Sequence, residues 1–197
     1  MILVMLGTQN NSFHRLLEEV EKNIENGIIQ EDVIVQAGYT KFESKHMQIF
    51  DLIPKEKLEE LQEKANLIIT HGGVGSIISS IEKDKKVIAV PRLHEFGEHV
   101  NNHQKEIVKD FNDKGYIIGI ENVEQLKDAI LKAKEFEPVR GKNIVIEAKA
   151  KLAGKFASEN HSGPKDVADF MDLEDEESIE MTKRDAYEQV QALLNLI

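Results

Sequence analysis

Cysteine is absent from all 197 residues. That excludes disulfides and thiolate metal sites, and it fits a reducing cytoplasm. Long apolar runs are absent too, since none approaches the ~20 residues that span a bilayer. Met1–Leu6 is apolar but too short for a signal-peptide core, and no basic segment starts it. It reads as a first strand. Positive charge is in deficit: the formal net charge of −11 argues against nucleic acid, or an anionic bilayer, as a partner of the surface as a whole. Several catalytic signatures are missing as well. The chain has no Gly-x-Gly-x-x-Gly, no P-loop lysine, no Asp-x-Asp and no His-Glu-x-x-His. Dinucleotide and P-loop readings therefore weaken, and no metal site is expected.

What is present is an alternation of short apolar and amphipathic segments, in a chain with 41% hydrophobic and 31% charged residues. Residues 2–6, 33–35, 67–69, 87–90 and 116–120 are apolar runs of the kind buried on both faces of a sheet, and 48–52 is a weaker one. Helices are expected between them. The first is capped by Ser12, carries Phe13, Leu16, Leu17, Val20 and Ile24, and ends at Asn26-Gly27. A second begins at Pro54 and carries Leu58, Leu61 and Ala65. Three more are expected over 76–83, 101–112 and 123–134. The alternation predicts an α/β fold, a Rossmann-like and mostly parallel sheet with helices on both faces and right-handed crossovers. Ligands of such sheets bind beyond the C-terminal strand ends. Gly7-Thr8, His71–Ser76 and Pro91–Gln104 all follow strands, so one edge should collect them.

This domain is expected to occupy residues 1–137. Residues 138–197 form a C-terminal extension, helical or partly disordered, of unknown role. Pro138, Gly141, Gly154 and Gly163-Pro164 interrupt it, acid accumulates from Asp166 to Glu180, and 179–197 has an amphipathic pattern.

Two motifs carry chemistry. The first is His71-Gly72-Gly73-Val74-Gly75-Ser76, between a strand and a helix. Glycines let a backbone approach a ligand and adopt positive φ, and the helix start offers N–H groups and the positive dipole end to a diphosphate. Ser76 adds a hydroxyl and His71 an imidazole. A plain tight turn is the competing reading. The second is Gly97-Glu98-His99-Val100-Asn101-Asn102-His103-Gln104. Its density of donors and acceptors suits the hydroxyls of a sugar, while an ordinary polar helix start is the alternative. His99 and His103 would lie one turn apart if the segment were helical. Without a metal, backbone amides, the helix dipole, Ser76 and His71 would have to stabilise a departing diphosphate.

Residues 1–134 resemble the C-terminal, donor-binding half of inverting GT-B glycosyltransferases of the family 28 type. The residues that carry the likeness are Gly7-Thr8, Thr70–Ser76, Pro91-Arg92 and Phe96–Gln104. That group includes the bacterial peptidoglycan UDP-GlcNAc transferase and the catalytic subunit of the eukaryotic dolichol-linked one. The likeness is strongest to small catalytic subunits of bacterial exopolysaccharide or capsule β-1,4-galactosyltransferases.

The resemblance implies a single GT-B half that takes a UDP-sugar. Gly7, Thr8, His71, Gly72, Gly73, Gly75 and Ser76 would line the UDP diphosphate, with His71 the catalytic candidate. Glu98, His99, Asn102, His103 and Gln104 would hold the sugar. Where relatives carry a ribose-binding Glu this chain has Ser79, and Glu82 is the next acid, so ribose falls to one of these. The resemblance also implies a membrane-anchored acceptor-binding subunit as partner, supplying the general base, and a polyprenyl-linked saccharide as acceptor. The chain would be cytoplasmic, recruited to the membrane by that partner. The expected reaction is hexosyl transfer, with galactose first and N-acetylglucosamine as the alternative. A non-catalytic nucleotide-sugar-binding or interaction module is the other alternative.

Overall fold

A computed structural model describes residues 1–140. Six parallel strands form one sheet: β1 (Ile2–Met5), β2 (Val33–Gln36), β3 (Met47–Phe50), β4 (Leu67–His71), β5 (Lys86–Val90) and β6 (Ile118–Gly119), in the order β3-β2-β1-β4-β5-β6. Strands β1, β2 and β4 are buried along their whole length. Their continuous apolar runs follow from that, because each face of the sheet meets helices. Alternate residues feed two cores. Ile2, Val4, Leu6 and Ile69 pack with α1 (His14–Glu25) and α5 (Leu126–Ala133). Leu3, Met5, Ile68 and Ala89 pack on the other side with α2 (Lys55–Lys64), α3 (Val74–Glu82) and α4 (His103–Asp113).

The strand order reverses between β1 and β4. Chain leaving β1 moves towards β2, and chain leaving β4 moves towards β5, so a crevice opens between their C-terminal ends. The expected fold, a Rossmann-like parallel sheet with helices on both faces, is the fold observed.

Several boundaries differ from expectation, each for a local reason. Ser12 is exposed and does not cap α1. The residue before α1 is Phe13, whose side chain is fully buried, and its N–H donates to Thr40 Oγ1 at 2.9 Å. A loop distant in sequence thus holds the entry to the helix. Helix α3 starts at Val74, two residues before Ser76, because Gly72 and Gly73 alone make the turn. Helix α4 starts at His103 rather than Asn101; Asn102 is its N-cap, and Asn101 Oδ1 accepts the His103 N–H at 3.0 Å just ahead of the helix. The last strand shrinks to Ile118–Gly119. The expected helix over 123–134 opens with a 3-10 turn at Val123–Gln125, where Gln125 Oε1 accepts the N–H groups of Glu121 and Asn122. The helices and the acidic run expected after residue 140 lie outside the described residues.

Loop approach at the crevice is tight. Gly38, just past β2, has φ +59°, and a Cβ there would overlap the Gly7 carbonyl oxygen. Gly27, after α1, has φ +69° but open space around it. Both positions disfavour a side chain by backbone strain, about 1–2 kcal/mol; only Gly38 adds a steric clash. Gly27→Ala should therefore lower stability by roughly 1 kcal/mol, and Gly38→Ala by about 3 kcal/mol or more. Urea denaturation of the two variants would check this, and equal losses would deny the close approach.

Candidate functional site

All three expected segments lie beyond the C-terminal ends of β1, β4 and β5, on one sheet edge. Their side chains divide into those that build the edge and those left facing it.

His71 is the last residue of β4 and has no exposure. Its Nδ1 lies 3.3 Å from the Met5 carbonyl oxygen and 3.4 Å from Thr70 Oγ1, which itself donates to Met5 O at 3.2 Å. A carbonyl only accepts, so the contact to Met5 selects the Nδ1–H tautomer. His71 is thus a core residue of the central strand pair, beneath the glycine turn.

The turn itself uses its glycines differently from expectation. Positive φ occurs at Gly7 (+76°) and Gly97 (+68°), but Gly72, Gly73 and Gly75 are not in that region. Gly73 is extended, with φ −71° and ψ 130°. Gly72 is required because a Cβ there would fall 2.8 Å from the Gln104 Cβ. The close neighbour within the chain is helix α4. Gly75 and Ser76 are half-buried in the first turn of α3. That turn contains no acidic side chain, and the first intrahelical hydrogen bond runs from Ile77 N to Gly73 O at 3.1 Å. The preceding N–H groups lack intrahelical partners, and no carboxylate offsets the dipole.

The loop after β5 is more structural than its polarity suggested. Glu98 is 3% exposed, and Arg15 Nε and Nη2 donate to its two oxygens at 2.6 and 2.9 Å. Leu93 N adds a third hydrogen bond at 2.9 Å. Arg15 also donates to Pro91 O at 3.2 Å and lies under the exposed Phe96 ring, 4.7 Å from its centroid. Arg92, 1% exposed, donates to Leu6 O and Asn11 O at 2.6 Å and to Glu98 O at 3.3 Å. Asn11 Nδ2 donates to Gly97 O at 2.8 Å, and Gln9 Nε2 meets His99 Nε2 at 3.4 Å. The loops after β1 and β5 are therefore tied together across the end of β4. Asn102 Oδ1 accepts the His94 N–H at 2.8 Å. Gln104 Oε1 accepts the N–H groups of Gly72 and Arg92.

Of the five residues expected at a sugar, Glu98 and Gln104 are buried, while His99, Asn102 and His103 keep exposure. His99 precedes α4, so it does not stand one helical turn from His103. Both candidates for ribose lie on α3. Ser79 Oγ accepts from Gln62 Nε2 at 2.9 Å and donates to Ser76 O at 3.2 Å, inside the α2–α3 contact. Glu82 ends α3, roughly 12 Å along its axis from the glycine turn. Thr8 is half-buried beside Gly7 on the shared edge. Among the described residues, the group able to share a metal ion is Glu21, Glu25 and His46. It lies by the start of β3, at the other edge of the sheet.

Sequence reasoning missed Arg15. It reads as a solvated position on an amphipathic helix, and its partner is 83 residues away. Removing it should leave the Glu98 carboxylate buried and unpaired, a loss of about 3–5 kcal/mol. In urea denaturation Arg15→Ala should be strongly destabilising, and Arg15→Ala with Glu98→Gln should be less so. A double variant as unstable as the sum of the singles would refute the pairing.

The family model described as Glycosyltransferase family 28 C-terminal domain matches residues 1–157, past the domain boundary expected at 137. The human UDP-N-acetylglucosamine transferase subunit ALG13 is 36% identical over 63 residues, which are 32% of this chain and 5% of that protein. Its mouse counterpart matches to the same extent. The chain thus spans a small part of the curated relatives it matches. Among solved structures, the kitacinnamycin glycotransferase shares 13% identity, with a TM-score of 0.48 over 75% of this chain and 37% of that one. MurG of Acinetobacter baumannii shares 16% identity, with a TM-score of 0.43 over 75% of this chain and 49% of that one. With a single family model covering the sheet, the glycine turn and the loop after β5 alike, this chain belongs to glycosyltransferase family 28, as a C-terminal-type domain.

Proposed function

We propose that this chain is the donor-binding, catalytic subunit of a two-component inverting glycosyltransferase. It takes a UDP-sugar and passes a hexose to a lipid-linked acceptor in exopolysaccharide or capsule biosynthesis. The observation that carries this reading is the start of α3. It stands at the topological switch point of the sheet, with N–H groups that precede the first intrahelical bond and no acid in its first turn, within a family of glycosyltransferases.

In the proposed mechanism the diphosphate lies against Gly73, Gly75 and Ser76, with Gly7 and Thr8 across the crevice. The N–H groups and dipole stabilise the charge that grows on UDP as the glycosidic bond breaks. No metal is assigned to this step. His71 is assigned a positioning role under the turn, because it is fully buried. His99, Asn102 and His103, which keep exposure, are assigned to the sugar. Glu98 and Gln104 are assigned to holding the loop that presents them, and neither Ser79 nor Glu82 is assigned a ribose contact. The attacking hydroxyl belongs to the lipid-linked acceptor. A separate subunit, anchored in the membrane and recruiting this chain to it, binds that acceptor, and a general base of the subunit takes the hydroxyl's proton.

The sugar is proposed to be galactose, on the motifs of residues 70–76 and 96–104. N-acetylglucosamine is the second reading, favoured by the name of the human relative.

Two measurements test this. Calorimetry should show UDP binding to the full chain, while NAD gives no heat. Silence with UDP at millimolar concentration, alone and with the partner present, would end the transferase reading. Ser76→Asp places an acid in the first turn of α3. It should leave stability unchanged or raise it by about 0.3–1 kcal/mol, yet weaken UDP binding tenfold or more. Unchanged UDP affinity would remove α3 from the diphosphate site. UDP-galactose and UDP-N-acetylglucosamine compared in the same titration decide the sugar.

A further inference from the structure

The Gln104 side chain is 4% exposed, at the second residue of α4. Its Oε1 lies 3.1 Å from Gly72 N and 3.0 Å from Arg92 N. Only the oxygen of the amide can accept, so two N–H donors fix which way the group points. An amide oxygen has two lone pairs, and both are used. No sugar hydroxyl can donate to it without displacing a backbone bond.

The position of the two N–H groups explains why a side chain is needed. The parallel ladder between β4 and β5 ends with His71 beside Val90. Past that point the strands diverge, one into the glycine turn and the other into the long loop. Gln104 bridges the divergence with one atom. Gly72 makes room for it: a Cβ there would fall 2.8 Å from the Gln104 Cβ and 3.1 Å from its Oε1. Arg92 then extends the connection, through its guanidinium, to the carbonyls of Leu6 and Asn11 beyond β1.

We infer that Gln104 is a positioning residue that couples the glycine turn to the loop after β5. Ligand bound at the start of α3 orders the turn, and through the shared oxygen it tightens Arg92 and the loop that follows. This rests on the proposed diphosphate site and adds to it a route by which donor binding organises the sugar side. Occupancy of one loop and order in the other rise and fall together.

Hydrogen exchange of the full chain with and without saturating UDP tests the coupling. In the unaltered protein UDP should slow exchange at Val74, Gly75 and Ser76, and should also slow the Arg92 amide, by about tenfold. Gln104→Leu should keep the first response and reduce the second to less than twofold. Gln104→Glu retains an acceptor for both N–H groups and should restore the Arg92 response. An Arg92 response that persists in Gln104→Leu overturns the coupling while leaving the diphosphate site intact. Absence of any response at Val74–Ser76 in the unaltered protein overturns the site, and the coupling with it. If Gln104→Leu does not fold, Gln104→Asn withdraws the oxygen by one methylene, and the same two outcomes decide.

Discussion

The buried guanidinium of Arg92 is the constraint on which this edge of the molecule depends. A cation held at 1% exposure needs acceptors inside the protein, and both terminal nitrogens of this guanidinium find them while the buried Nε does not. Here the acceptors are backbone carbonyls from two other segments, Leu6 and Asn11 beyond β1 and Glu98 in its own loop. Satisfying Arg92 therefore fixes the loops after β1 and β5 relative to each other, above the end of β4. The Phe13 ring lies 5.1 Å from the guanidinium, so the entry of α1 is fixed by the same group.

Arg15 repeats the device one layer further out. It binds both oxygens of Glu98, a geometry that suits a guanidinium and not an ammonium. Two buried or half-buried arginines and one buried carboxylate leave these three side chains with one positive charge in excess. The chain as a whole carries −11. An acidic protein has thus placed cationic groups in the framework of the edge where its glycine turn lies, and long-range charge says little about what that edge receives.

The sheet was legible in the sequence because its strands are buried on both faces, and burial on both faces writes an uninterrupted apolar run. The glycine turn and the shared edge followed from strand–helix order. Residue roles were less legible, for identifiable reasons. Glu98 looked like a sugar ligand because a polar residue in a polar motif carries no mark of burial. Gly72 gave no sign in the sequence that the Cβ of Gln104, 32 positions on, is what excludes a side chain there. Ser12 matched a capping preference, but the entry to α1 is held instead by Thr40 from another loop. Each of these depends on a contact between segments far apart in the chain, and such contacts leave no periodic trace.

The anion site of the proposed function can be argued from which backbone groups this edge has left over. Carbonyls at the end of a parallel strand would repel a phosphate. At the end of β1 they are already occupied. Met5 O receives Thr70 Oγ1, Leu6 O receives Arg92 Nη2 at 2.6 Å, and Gly7 O receives Gln36 Nε2 at 2.9 Å. The opposite wall of the crevice is the first turn of α3, where the unmatched groups are N–H donors. Side-chain donors from β2, β4 and the loop after β5 have neutralised the acceptors of one wall, and the helix start leaves donors on the other. The electrostatic preference of the crevice is therefore set less by charged residues lining it than by how completely the protein has satisfied its own carbonyls.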